Sequence, residues 1–188
     1  MNVYDFDNTI YRGDATVDFY RFCLMRQPAL LRFVPKQALS FLRVKTKAKD
    51  LTKAKEGFFV FLQALKNREQ MLQEFWAKHR RNIEPWYLAQ KKEDDLVISA
   101  SPEFLLFPVC SRLGIRLLAS RVDFATGRYS GKNCAGEEKA RRFLEAFPGE
   151  KIHRFYSDAM KDQALANMAE ESFLVRRGKI SPWPERKR

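Results

Sequence analysis

Apolar and polar positions along the 188-residue chain follow two different patterns. Val3, Tyr4 and Phe6 open it as a short strand-forming run. Further apolar runs of strand length recur at 96–99, 115–119, 152–156 and 173–175, with helical patterns between them. Pro102 is placed to open one of those helices, Gly114 ends it, and two more are expected over 137–147 and 162–170. Short apolar strands alternating with helices predict an α/β fold with a doubly wound, parallel, five-stranded core. Residues 123–132, with Gly127 and Gly131, read as a short β-excursion. Residues 181–188 read as a mobile tail. From 10 to 94 the pattern is helical only. Asp14 N-caps a helix carrying Val17, Tyr20, Phe22, Cys23 and Leu24. A basic amphipathic helix follows over 29–42, and another over 68–81 has Met71, Leu72, Phe75 and Trp76 as its buried stripe. The expected organisation is a core of residues 1–12 and 93–188 with an all-helical insertion, 13–92.

Charge sharpens that division. The chain carries a formal +12, and residues 12–92 hold 18 Lys+Arg against 7 Asp+Glu, which is nearly all of the surplus. Such a segment suits an anionic partner or a solvated face. A nucleic-acid binder is the reading that takes this charge as primary. However, the segment has no helix-turn-helix, zinc or aromatic RNP-like signature, so no nucleic acid is expected. Three widely spaced cysteines, Cys23, Cys110 and Cys134, argue against a disulfide framework, and two distant histidines against a zinc site. With no secretory leader and no apolar run of membrane-spanning length, a cytoplasmic protein is expected. Peripheral contact at the inner membrane surface would suit the basic helices.

The chemistry is concentrated at strand ends. Asp5 and Asp7 alternate along the first strand and address one side if the backbone is extended, while Phe6 turns to the core. Ser99, and Ser157 with Asp158, fall at the carboxyl ends of later strands, where ligands bind in such sheets. Two close carboxylates call for a divalent cation, and Mg²⁺ is commonly held by one or two carboxylates plus substrate phosphate. For phosphoryl transfer, Asp5 suits in-line attack, and Asp7 suits proton transfer to the leaving alkoxide and from water. Ser99 reads equally as a donor to a phosphoryl oxygen or as a helix cap. Asp158 and Asp162, spaced i, i+4, suit direct and indirect metal binding.

The run Asp5-Phe6-Asp7-Asn8-Thr9 resembles the D-x-D-x-T signature of the haloacid dehalogenase (HAD) superfamily of phosphohydrolases. With Ser99 and the pair Asp158 and Asp162, it resembles the helical-cap subfamily that contains phosphoserine phosphatase. That resemblance implies a Rossmann-like core, the metal set Asp5, Asp7, Asp158 and Asp162 with Mg²⁺, and an aspartyl-phosphate intermediate. It also implies a lysine that neutralises nucleophile and phosphate. Lys139, in Gly136-Glu137-Glu138-Lys139, is the choice, and Lys132 the alternative. The segments Ser99-Ala100-Ser101-Pro102, Asn133 to Lys139 and Tyr156 to Asp162 look most like the phosphatidylglycerophosphatase C branch. The substrate this implies is a lipid phosphomonoester, with a soluble phosphometabolite as the alternative.

Overall fold

The computed structural model describes residues 1–44 and 51–184. Lys45, Lys47, Lys49 and Asp50, and the end of the tail from Glu185, lie outside the described residues. The strands are β1 (Asn2–Tyr4), β2 (Leu96–Pro102), β3 (Arg116–Ser120), β4 (Ile152–Ser157), β5 (Ala169–Arg176) and β6 (Lys179–Pro182). They form one sheet in the order β3-β2-β1-β4-β5-β6. Neighbours from β3 to β5 run parallel, and β6 returns antiparallel to β5.

The sheet thus has six strands where five were expected. The extra one is built from Lys179 to Pro182, half of it from residues read as tail. A two-residue turn, Arg177 and Gly178, folds it back onto β5. The helix expected over 162–170 is the four-residue α8 (Gln163–Ala166), because β5 begins at Ala169. The expected β-excursion is a single bridge, Val122 to Tyr129.

Strand alternation sorts the core into two layers. Val3, Leu96, Ile98 and Phe155 face α7 (Glu137–Ala146) and α8 through Ala140, Phe143 and Leu165. Tyr4, Val97 and Tyr156 face the other way, toward α6 (Glu103–Leu113) and the helices inserted between β1 and β2. Those helices are α1 (Ala15–Arg26), α2 (Val34–Val44), α3 (Leu51–Phe59), α4 (Arg68–His79) and α5 (Pro85–Gln90). Among the described residues no strand lies between Tyr4 and Leu96. Asp14 caps α1 by accepting from the Val17 N–H. The expected stripe of α4 is buried, and its Trp76 indole donates to the Leu105 carbonyl of α6 at 2.6 Å. The insertion is therefore packed into the same core as the sheet.

Candidate active site

β1 ends at Tyr4, and the next residue, Asp5, donates its N–H to the Tyr156 carbonyl of β4 at 2.8 Å. The first carboxylate thus stands at the C-terminal lip of the two central strands. The chain then closes a tight turn in which the N–H groups of Thr9, Ile10 and Tyr11 all converge on the Phe6 carbonyl. Phe6 is buried against Tyr11 and Trp76. This turn, rather than the pleat of an extended strand, brings Asp7 to the cavity that Asp5 lines. Thr9 ties the turn to the loop after β4, its hydroxyl accepting from the Asp158 N–H at 3.0 Å.

Each carboxylate has its own support. Lys139 lies fully buried on α7, its ammonium 2.9 Å from Asp5 Oδ1 and 2.6 Å from Asp162 Oδ2. Asp162 also accepts from the Ser157 hydroxyl and the Gly136 N–H, so it orients the lysine. Asp7 accepts from the Ala15 N–H at the start of α1 (2.7 Å) and from the Ser101 hydroxyl (2.5 Å). Asp158 lines the same cavity, and its carboxylate makes no hydrogen bond or ion pair among the described residues. The cavity has a volume of about 280 Å³. The insertion supplies its roof through Thr16, Phe58 and Lys55, whose ammonium reaches Asn133 Oδ1 at 2.8 Å and the Ala100 carbonyl at 3.5 Å.

The profile of the haloacid dehalogenase-like hydrolase family matches residues 3–167. The chain belongs to that family. No curated protein matches it. Among solved structures it is similar to a protein of unknown function from Bordetella pertussis Tohama I. The TM-score is 0.67 at 21% identity, covering 92% of this chain and 87% of that one. It is similar to a HAD family hydrolase from Salmonella enterica subsp. enterica serovar Typhi, with TM-score 0.60 and 11% identity over 89% of this chain and 59% of that one. A third similar structure is a phosphoserine phosphatase in apo form (TM-score 0.50, 13% identity, 90% and 82%). These likenesses are of fold. The phosphatidylglycerophosphatase branch finds no support in them.

In this HAD chain, burial sets the electrostatics. It raises the Asp5 carboxyl, and Lys139 pulls it back. It opposes the charge on Lys139, but Asp5 and Asp162 outweigh it and raise that pKa. Asp7 is pushed up to about 7 by burial and then by Asp14, with Ser101 and the Ala15 N–H opposing. Asp158 is pushed up to about 6 by burial and then by Asp5. Lys55 is lowered by burial and then by Lys161.

The structure brings together Asp5, Asp7, Asp158, Asp162 and Lys139, and leaves Ser99 outside the cavity. Ser99 is fully buried, and its hydroxyl accepts from the Ser101 N–H at 3.1 Å. A register shift between Ser99 and Pro102 breaks the strand alternation, so Ser101 faces the cavity instead. Lys132 is exposed and holds Arg142 through its carbonyl. Sequence reasoning also missed Lys55 and Lys161.

No group of three or more Asp, Glu, His or Cys side chains among the described residues is gathered closely enough to hold a metal alone. Asp7 spends both carboxylate oxygens on Ala15 and Ser101, and Asp162 is committed to Lys139, Ser157 and Gly136. Asp158 remains unpartnered, and Asp5 keeps one oxygen, Oδ2, that takes only a 3.4 Å hydrogen bond from Ser157. That donor set fits Mg²⁺, which takes one or two carboxylates and completes its shell with water and phosphate.

Proposed function

We propose that the chain is a phosphomonoesterase that works through an aspartyl phosphate on Asp5. The observation that carries this reading is the pairing of Asp5 with a buried lysine on one wall of a cavity whose other wall holds Asp7. The Lys139 ion pair opposes protonation of Asp5 and aims it through Oδ1, and Oδ2, held only by a 3.4 Å hydrogen bond from Ser157, is the oxygen for attack on phosphorus. Asp7, titrating near neutrality, carries a proton to the leaving alkoxide and takes one from the attacking water. Ser101, which lines the cavity where Ser99 does not, holds Asp7 through its hydroxyl. Lys55 and Lys161 add positive charge where the phosphoryl oxygens come to rest. Asp5 and Asp158 would hold Mg²⁺, with Asp162 acting through Lys139. The ion would neutralise phosphoryl charge and align the ester. Residues 13–92 serve as the cap that excludes water.

A 280 Å³ cavity favours a small phosphomonoester. A lipid phosphomonoester at an anionic bilayer is the second reading. It is favoured by exposed Leu31, Val34 and Leu39 beside exposed Arg32 and Lys36, the composition of an interfacial helix. The two separate in one experiment: turnover of a short-chain phosphate ester, with and without anionic vesicles. Activity on the soluble ester that vesicles leave unchanged supports the first reading. The reaction itself is tested by Asp5→Asn, which keeps the side-chain shape and removes the nucleophile. Turnover at the wild-type rate in that variant rules the proposal out.

A further inference from the structure

We infer a second binding site, for a phosphate-class anion, beside the catalytic cavity. A cavity of about 620 Å³ opens between the base of the helical insertion and the β5–β6 turn. It shares Asn8 and Asp158 with the catalytic cavity, so the two are neighbours across those residues. Its walls carry Arg12, Arg176 and Arg177 against Glu84 and Asp158.

One wall is the crossing of the two segments that join the insertion to the sheet. Arg12 N–H donates to the Asn82 carbonyl and Glu84 N–H to the Ile10 carbonyl, both at 2.8 Å. The Arg12 guanidinium donates to both Glu84 oxygens at 3.3 Å. Its side chain remains 68% exposed, which leaves donors free. The opposite wall is the hairpin turn. Arg176 pairs with Lys179, so the turn is Arg177 and Gly178, at φ +51 and +75. Two positive φ values in a two-residue loop call for Asn or Gly. Gly178 obeys, and a Cβ there would stand 3.6 Å from a Glu84 carboxylate oxygen. Arg177 does not obey, and it lines the cavity. A strained backbone position of this kind is a pointer to use. Neither Arg176 nor Arg177 has a side-chain hydrogen bond or ion pair among the described residues. Glu84 is already engaged by Arg12. The cavity therefore offers unpaired guanidinium forks, whose planar donors match phosphate oxygens two at a time.

The anion has two possible sources: a second phosphate on a substrate whose first phosphate lies at Asp5, or free phosphate bridging the insertion's base to the sheet edge. Only the first source rests on the phosphatase reading. The test uses Arg177→Gly, which suits the turn, alone and with Arg176→Gln, after melting curves establish that both variants fold. Calorimetric titration of inorganic phosphate into the full chain needs no turnover. The double variant should bind at least tenfold more weakly than wild type. Equal binding overturns the proposal even if the protein proves a phosphatase. The kinetic arm compares a monophosphate with a bisphosphate of the same skeleton. A KM at least tenfold lower for the bisphosphate, lost in the double variant, assigns the site to substrate. Equal KM values together with the calorimetric loss assign it to free phosphate.

Discussion

Asp7 and Lys139 carry the sharpest consequences for single residues. Burial holds Asp7 up near 7, so the acid form persists to neutral pH and is lost above it. With Asp7 as proton donor, kcat on alkyl phosphates should fall as pH rises past about 7. Asp7→Asn should cost about 10²–10⁴-fold on alkyl phosphates and far less on p-nitrophenyl phosphate, whose leaving group needs no proton. An equal loss on both substrates removes the proton-donor role. Lys139→Met leaves Asp5 and Asp162 buried without their cation, which should cost about 3–5 kcal/mol by chemical denaturation. That Asp5, Asp7 and Asp158 stand together was legible because each falls just past the end of a strand, whereas Lys139 was chosen only through the family resemblance. Ser101 was not legible, since a two-residue irregularity in the β2–β3 register puts it, rather than Ser99, at the cavity, and such a shift leaves no trace in an apolar pattern. Lys55 was illegible for another reason. It stands 50 residues beyond Asp5 and 78 before Asn133, and only the packing of α3 over the sheet brings them together.

At the scale of elements, α7 has to hold Lys139 in register with β1. Arg142 does this by donating to the Ala119 and Lys132 carbonyls, and Glu138 holds Arg142 from one turn earlier. The Arg141 and Arg142 hydrogen bonds bring the Glu138 carboxyl down to about 2 despite partial burial. A depressed folded-state pKa contributes stability that is present above the ordinary carboxyl range and is lost as pH falls toward 2. Glu138→Gln should therefore destabilise by about 1–2 kcal/mol at pH 7, with the difference vanishing near pH 2. A constant difference across that range contradicts the clamp. The insertion is held down by Gly127, where a Cβ would meet the Phe59 carbonyl at 2.5 Å and φ is +74. Glu56 accepting from the Tyr129 N–H and Gln63 donating to the Thr126 carbonyl reinforce this contact. Gly127→Ala should lower the melting temperature and speed proteolysis within the helical insertion. The helices and the parallel core were legible from periodicity. β6 was not, because Lys179 to Pro182 is exposed throughout and pairs through its backbone and the Ser181 hydroxyl rather than through an apolar face.

For the whole molecule, charge and metal act together. The proposed catalytic cavity gathers carboxylates inside a chain of net charge +12, so on the phosphatase reading a phosphate ester would be drawn to the protein and then met by acids. A divalent cation would resolve that conflict. Turnover should vanish with chelator and return with Mg²⁺, and Asp158→Ala should raise the Mg²⁺ concentration needed for half-maximal rate. Among the described residues no helix is long and apolar enough to cross a membrane. The central claim is that Asp5 is phosphorylated during turnover. Acid quenching during reaction with a ³²P-labelled phosphomonoester and Mg²⁺, followed by peptide mapping, measures this directly. The account predicts hydroxylamine-labile label on the peptide that contains Asp5, and none in Asp5→Asn. Steady release of phosphate with label on no peptide, or on Ser101 instead, would contradict it.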